Sequence, residues 1–151
     1  MSGALESVVL PLQEEDLSEV LQLEAENLSP WSRPLWLEEL RQRSGWRWVA
    51  RDRGTGELLG FLCGRTMADE AELFKLAVAA RHHRRGIASS LLAHACKRLR
   101  EAGVSAFYLE LRSSNYAAKA LYARSGFSPY GLRKSYYTDS GEDALIMMKK
   151  L

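Results

Sequence analysis

The stretch DEAELFKLAVAARHHRRGIASSLLAHACKRLREAGVSAFYLELR, residues 69–112, decides the fold of this chain. Its first part, Asp69–Ala80, alternates acidic and apolar residues and then turns continuously apolar. That pattern predicts a strand that enters the middle of a sheet and is buried there on both faces. From Gly86 to Ala102 the apolar Ile87, Leu91, Leu92, Ala95, Cys96 and Leu99 recur at helical spacing, with His94, Lys97, Arg98 and Glu101 turned away and Gly103 as the stop. Val104–Arg112 returns to a strand pattern. Strand, helix and strand in that order predict a βαβ unit, two parallel strands joined by a right-handed crossover.

The junction His82-His83-Arg84-Arg85-Gly86 sets cations against a helix N-terminus, which already carries roughly half a positive charge and unpaired N–H groups. Cations gathered there imply an anion among them. Ligands of such sheets sit beyond the carboxyl ends of parallel strands, where the free N–H groups of the next helix converge on a phosphate or pyrophosphate. Gly86 and Ala88 keep the backbone approachable. A solvated loop and a nucleic-acid patch are the other readings of these charges taken alone.

Working outward, Leu5–Leu12 reads as a strand with a turn at Pro11. Gln13–Leu28 reads as a helix with Leu17, Val20, Leu21 and Leu28 on one stripe, stopped by Pro30. A second short helix, PLWLEELRQR, follows Ser32-Arg33 and ends near Gly45. Trp46–Arg53 and Glu57–Met67 flank Gly54-Thr55-Gly56 as a hairpin. After residue 112, Asn115 caps a helix over Tyr116–Ser125 that Gly126 closes, and the remainder reads as two strands around a turn at Asp139-Ser140-Gly141.

The length of 151 residues, with 46% hydrophobic and 26% charged side chains, suits a single domain over residues 1–151 with a core of its own. No apolar run approaches the roughly 20 residues of a membrane span, and the start lacks the features of a secretory signal. Cys63 and Cys96 read as core thiols of a reduced, cytoplasmic protein. His82, His83 and His94 lack the partners and spacing of a zinc site, so no metal is expected. Residues 1–40 hold nine acids and one base, a net −8, while the rest of the chain carries +10. Solvated helices before a basic domain explain this in one way. In another, an acidic and a basic lip flank a site for a cationic substrate and an anionic cofactor.

LAVAARHHRRGIASSLL resembles the acetyl-CoA signature of the GNAT acetyltransferases, Gln/Arg-x-x-Gly-x-Gly/Ala, with Gly86 and Ala88 at the small positions and His83 where the family has Arg or Gln. Ser29-Pro30-Trp31-Ser32, YLELRSSNYAAKALYARSGF (Tyr108–Phe127) and RKSYYTDSGEDALIM (Arg133–Met147) narrow the resemblance to the RimI-like ribosomal-protein-alanine N-acetyltransferases. It spans nearly the whole chain. The resemblance implies an α/β fold, the acyl-CoA N-acyltransferase fold, with a twisted, mixed, mostly antiparallel sheet of about seven strands and about four helices. It implies acetyl-CoA as cosubstrate and the N-terminal alanine of a small-subunit ribosomal protein as acceptor, attacked directly in a ternary complex, with no nucleic-acid or membrane role. Other N-termini, lysines or small amines are alternative acceptors. A CoA- or ribosome-binding protein without turnover is the alternative from a different class.

An ammonium must lose a proton before its nitrogen attacks a thioester, so a carboxylate is needed near the acyl group. The resemblance makes Glu110 that base, acting directly or through a water. Read as a residue alone, Glu110 is equally a strand-end glutamate paired with Arg112. The departing thiolate benefits from a proton, and by the resemblance Tyr122 in Ala120-Leu121-Tyr122 supplies it. By its apolar helix face, with Ala118, Leu121 and Ser125, Tyr122 alone reads as core. The resemblance also assigns cofactor contacts to Leu76, Ala77 and Val78 through their backbone, to Arg84, Arg85, Gly86, Ile87, Ala88 and Ser89 in the loop and first turn, and to Asn115. Trp31, Tyr136 and Tyr137 are candidate walls of a peptide groove, with acids of the first two helices drawing a basic residue after the alanine. Ordinary packing is the other reading of Trp31 and Trp36.

Overall fold

A computed structural model describes residues 6–151. Seven strands form one sheet in the order β1-β2-β3-β4-β5-β7-β6. They are β1 (Ser7–Pro11), β2 (Gly45–Asp52), β3 (Leu58–Met67), β4 (Glu70–Val78), β5 (Ala106–Arg112), β6 (Ser128–Arg133) and β7 (Ala144–Lys150). Only β4 and β5 pair in parallel, across the crossover helix α3 (Ile87–Glu101). Every other pairing is antiparallel. Helices α1 (Leu17–Glu24) and α2 (Arg33–Leu40) pack with Val49, Leu58, Phe61 and Cys63 into one apolar cluster. α3 and α4 (Tyr116–Arg124) join Leu62, Leu73, Phe107, Leu109 and Met147 in the other. The sheet therefore lies between two helical layers. No helix among the described residues is long and apolar enough to cross a membrane.

Several elements differ from the sequence reading. The helix expected over Gln13–Leu28 is a 3-10 turn, Glu14–Asp16, followed by α1, which ends at Glu24. Leu28, placed on its buried stripe, is 89% exposed. The cause is the Glu24 carboxylate, which turns inward and binds the chain beyond the helix, accepting from the Trp31 N–H at 2.7 Å and Asn27 Nδ2 at 2.8 Å. The second helix ends at Leu40, and Gly45 opens β2 instead of closing the helix. Ser32 is its N-cap, accepting from Leu35 N–H. Leu5 lies outside the described residues, and Pro11 falls inside the end of β1 instead of in a turn.

A further difference, in β4, shapes the site. β4 and β5 are paired only over Glu70–Glu72 and Ala106–Tyr108, and beyond these they part. On its other side, β4 carries a bulge: Lys75 faces Cys63 and Leu73 faces Gly64, leaving Phe74 as the extra residue. A bulge bends its strand, here immediately after the last pair with β5. Gly64 makes this possible, because a Cβ there would sit 2.1 Å from the Glu72 carbonyl and 2.3 Å from the Trp46 ring. The apolar run Leu76–Val78, expected to be buried on both faces, is only half-buried because it borders the gap.

Candidate active site

Alternation along the parted strands assigns side chains to two faces. Phe107, Leu109 and Leu111 of β5 turn into the core beneath α3 and α4, so Tyr108, Glu110 and Arg112 turn to the opposite face. On β4, Leu76 and Val78 pack against the α3 cluster and Ala77 against the α1 cluster.

On the α3 side the gap opens into a cleft of about 750 Å³. Leu76 and Val78 form one wall, His83, Arg84, Gly86, Ile87, Ala88 and Ser89 the loop and first turn of α3, and Tyr122 the far wall on α4. Gly86 has φ +79° and Arg84 φ +65°, so two left-handed residues fold the loop over the helix end. No side chain caps α3 and no acid stands in its first turn. Its leading N–H groups are left for a ligand. A Cβ at Gly86 would meet nothing within 4 Å, so the glycine answers to its positive φ more than to crowding by the protein.

His83 Nε2 lies 2.8 Å from the Val78 carbonyl, where it donates and ties the loop to the end of β4. His82, unnoticed as a cleft residue from sequence, also lines it; its Nδ1 is buried without a partner among the described residues. Burial, together with Arg81 and Arg85, lowers the pKa of His82. The orphaned Nδ1, uncapped N–H groups and basic loop fit a polyanionic ligand with an extended arm.

Tyr122 is buried, and its hydroxyl makes no hydrogen bond to any described residue. Burial alone pushes its pKa up to about 12. The phenol therefore holds its proton throughout the neutral range.

On the opposite face, Glu110 pairs with Arg133 at 3.4 Å, not with Arg112. Arg112 instead grips Asp139 through two bonds of 3.0 and 2.9 Å and stacks on Tyr137 at 4.2 Å. Arg133 lies over Tyr136 at 5.3 Å, and the two tyrosines meet edge-on. The pKa of Tyr137 is raised by burial and then by the Glu110 charge. Glu110, Arg133, Tyr136 and Tyr137 are thus brought together.

This arrangement, a mixed sheet parted between parallel strands over an uncapped helix, is matched by sequence: residues 12–127 fit the description "Acetyltransferase (GNAT) family". The chain belongs to the GNAT acetyltransferase family. A ribosomal protein bS18-alanine N-acetyltransferase of Haemophilus ducreyi is 33% identical over 139 residues, covering 89% of this GNAT chain and 93% of that protein. The crystal structure of the ribosomal-protein-S18-alanine N-acetyltransferase from Escherichia coli superposes with a TM-score of 0.87 at 31% identity, over 96% of this chain and 94% of that one. A chain of the NatC complex bound to Gag peptide and CoA gives a TM-score of 0.84 at 25% identity, over 97% and 99%.

Within this GNAT frame, Leu76, Val78, Arg84, Gly86, Ile87, Ala88, Ser89 and Tyr122 share the cleft. Ala77, Arg85 and Asn115 do not line it; Asn115 caps α4, accepting from Ala118 N–H at 3.1 Å. Ala117, Ala118, Ala120, Leu121 and Arg124 complete it, and the helical spacing around Tyr122 was the signal that could have found them. Trp36 is core, as the packing reading had it. Trp31 is half-buried against Trp36 and under Lys75, whose Nζ lies 4.9 Å from its ring.

Of the nine acids before residue 41, five are engaged internally. Asp16 and Glu19 hold Arg51 at 2.6 and 2.8 Å, Glu24 holds Lys75 at 3.0 Å, Glu39 holds Arg65 at 2.9 Å, and Glu26 accepts from Ala80 N–H. These pairs fasten α1 and α2 to the sheet.

Proposed function

We propose that this chain is a cytoplasmic N-α-acetyltransferase that moves acetyl from acetyl-CoA to the N-terminal alanine of a small-subunit ribosomal protein. One observation carries the chemistry: where β4 and β5 part, a cleft lies on the α3 face and the Glu110 carboxylate stands on the opposite face of β5. A thioester entering from the α3 side and an amine from the Glu110 side can meet in the gap. The substrate assignment draws on relatives that act on bS18 and superpose over nearly the whole chain.

In this reading the N–H groups at the head of α3 hold the CoA pyrophosphate, with Arg84 and Arg85 adding charge, and Leu76 to Val78 guide the arm. Asn115 fixes the start of α4 and so the position of Tyr122. Glu110 takes a proton from the attacking ammonium. As the new C–N bond forms and the C–S bond breaks, Tyr122 gives its proton to sulfur and regains one from the second proton that the nitrogen sheds in becoming an amide, so no acyl-enzyme is required. A phenol near 12 is a poor match for a thiol of about 8.5 in water. The burial that raises Tyr122 also disfavours a thiolate beside it, which narrows the mismatch. Trp31, Tyr136 and Tyr137 wall the acceptor groove.

The deciding experiment incubates the protein with acetyl-CoA and an Ala-Arg-Tyr-Phe peptide and reads mass. A gain of one acetyl on the α-amine is expected. Transfer to an internal lysine or a polyamine, with none to the peptide, would replace the acceptor assignment and leave the fold standing.

A further inference from the structure

The cations around the acceptor face are already spoken for. Arg133 pairs with Glu110, Lys75 with Glu24 and the Ser29 carbonyl, Arg65 with Glu39, and Arg112 with Asp139 and Glu142. Glu70 accepts from the Tyr108 hydroxyl at 3.3 Å. Glu72 forms neither an ion pair nor a hydrogen bond with any described residue, and it is exposed. It is also the last residue of β4 still in register with β5, opposite Tyr108, at the point where the strands part.

Glu72 alternates with the buried Ala71 and Leu73, so it shares the face of Glu110. Glu110 stands two residues beyond Tyr108, about 7 Å further along the gap at the rise of a strand. Burial and the Glu110 charge raise the Glu72 pKa, with Arg133 opposing them. Two carboxylates thus face one opening, Arg133 pairs with Glu110, and Glu72, nearer the closed end, has no ion-pair partner among the described residues.

We propose that Glu72 is a specificity residue, the carboxylate that takes the cationic side chain of the second residue of the acceptor while the terminal nitrogen lies at Glu110. The inference rests on the acceptor reading given above. The distances suit it: one extended residue advances the chain about 3.4 Å, and an arginine or lysine side chain covers the remainder. This places the attraction for a basic second residue on β4, and not on the α1 acids Glu19 and Glu24, which are paired.

Peptides beginning Ala-Arg, Ala-Ala and Ala-Glu but otherwise identical test it with the full chain. The wild type is expected to favour Ala-Arg over Ala-Ala in kcat/KM. Glu72→Gln should lower that ratio about three- to fivefold, the scale of an exposed ion pair, and Glu72→Arg should shift preference toward Ala-Glu. An Ala-Arg to Ala-Ala ratio unchanged in both variants overturns the proposal, even if absolute rates fall. The same peptides titrated calorimetrically into the CoA-loaded protein read the ratio from binding constants. The inference is thereby decided even where no acetyl moves and the acceptor reading has failed.

Discussion

At residue scale, the proposed mechanism divides two proton movements between Tyr122 and Glu110 on opposite faces of one sheet, and each makes a separate kinetic prediction. Tyr122→Phe keeps the ring that packs on Phe127 at 5.8 Å and removes only the donor. It should lower kcat roughly 100-fold, the usual worth of a positioned acid. KM for peptide and acetyl-CoA should stay within about twofold, since the hydroxyl would act on the leaving group and not on binding. Steady-state kinetics beside a thermal melt separates this from misfolding. Glu110→Gln cannot accept a proton, so turnover would depend on amine that is already free. With an α-amino pKa of about 7.7–8.0, its deficit should be deepest at pH 6 and narrow toward pH 9; a deficit constant across that range would remove Glu110 as the base. In sequence both residues were ambiguous, because a tyrosine on an apolar helix face and a glutamate at a strand end each have a plain packing role. In the structure Arg112 is engaged by Asp139 and Tyr122 borders a cleft, which supports the catalytic reading of both, and the kinetics above decide it.

At the scale of elements, the strands and helices from β2 onward were legible, since period and turn residues are local signals. The end of α1 was not. Leu28 sits at helical spacing from Leu17 and Leu21, but tertiary bonds to Glu24 outweigh that pattern. Glu24 is 1% exposed and accepts from Asn27, the Trp31 N–H, Trp36 Nε1 and Lys75 Nζ, across separations of 3, 7, 12 and 51 residues. No short window reveals such a set. The bulge at Phe74, which leads into the parting of β4 from β5, was equally hidden because it depends on how Gly64 meets Trp46. Glu24→Ala would leave the Lys75 ammonium without its carboxylate, with only the Ser29 carbonyl, and the Trp31 N–H and Trp36 Nε1 without an acceptor. A loss of roughly 3–5 kcal/mol is expected, the usual cost of removing one partner of a buried pair, read as a lower urea midpoint. A change within 1 kcal/mol would mean that water replaces the carboxylate and that α1 is held by apolar contacts alone.

For the whole molecule, the sharp charge asymmetry along the chain was visible in sequence, but the internal use of about half its acids was not. The N-terminal acids meet bases of β2, β3 and β4 and lock the α1–α2 layer to the sheet, so the fold spends this charge on itself. That layer closes over Cys63, whose pKa is pushed up to about 12 by burial and then by the nearby Glu39. Tyr122 on the other layer is likewise near 12. Both groups bind their proton more tightly folded than unfolded, so their contribution is complete below the unfolded pKa, about 8.5 for Cys and 10 for Tyr, and is lost as pH rises toward 12. The linkage amounts to about 1.4 kcal/mol for each pH unit between the two ionisations. Urea midpoints of the wild type should therefore fall steeply from pH 9 to 11. Cys63→Ala should be roughly 1 kcal/mol less stable at pH 7.5, on the scale of a small cavity in the core. It has no thiol to ionise on unfolding, so its curve should decline more gently, meet that of the wild type near pH 9 and lie above it by pH 10.5. Parallel curves would show that the alkaline loss comes from Tyr122 and from the ion pairs, and that the Cys63 thiol takes no part in it.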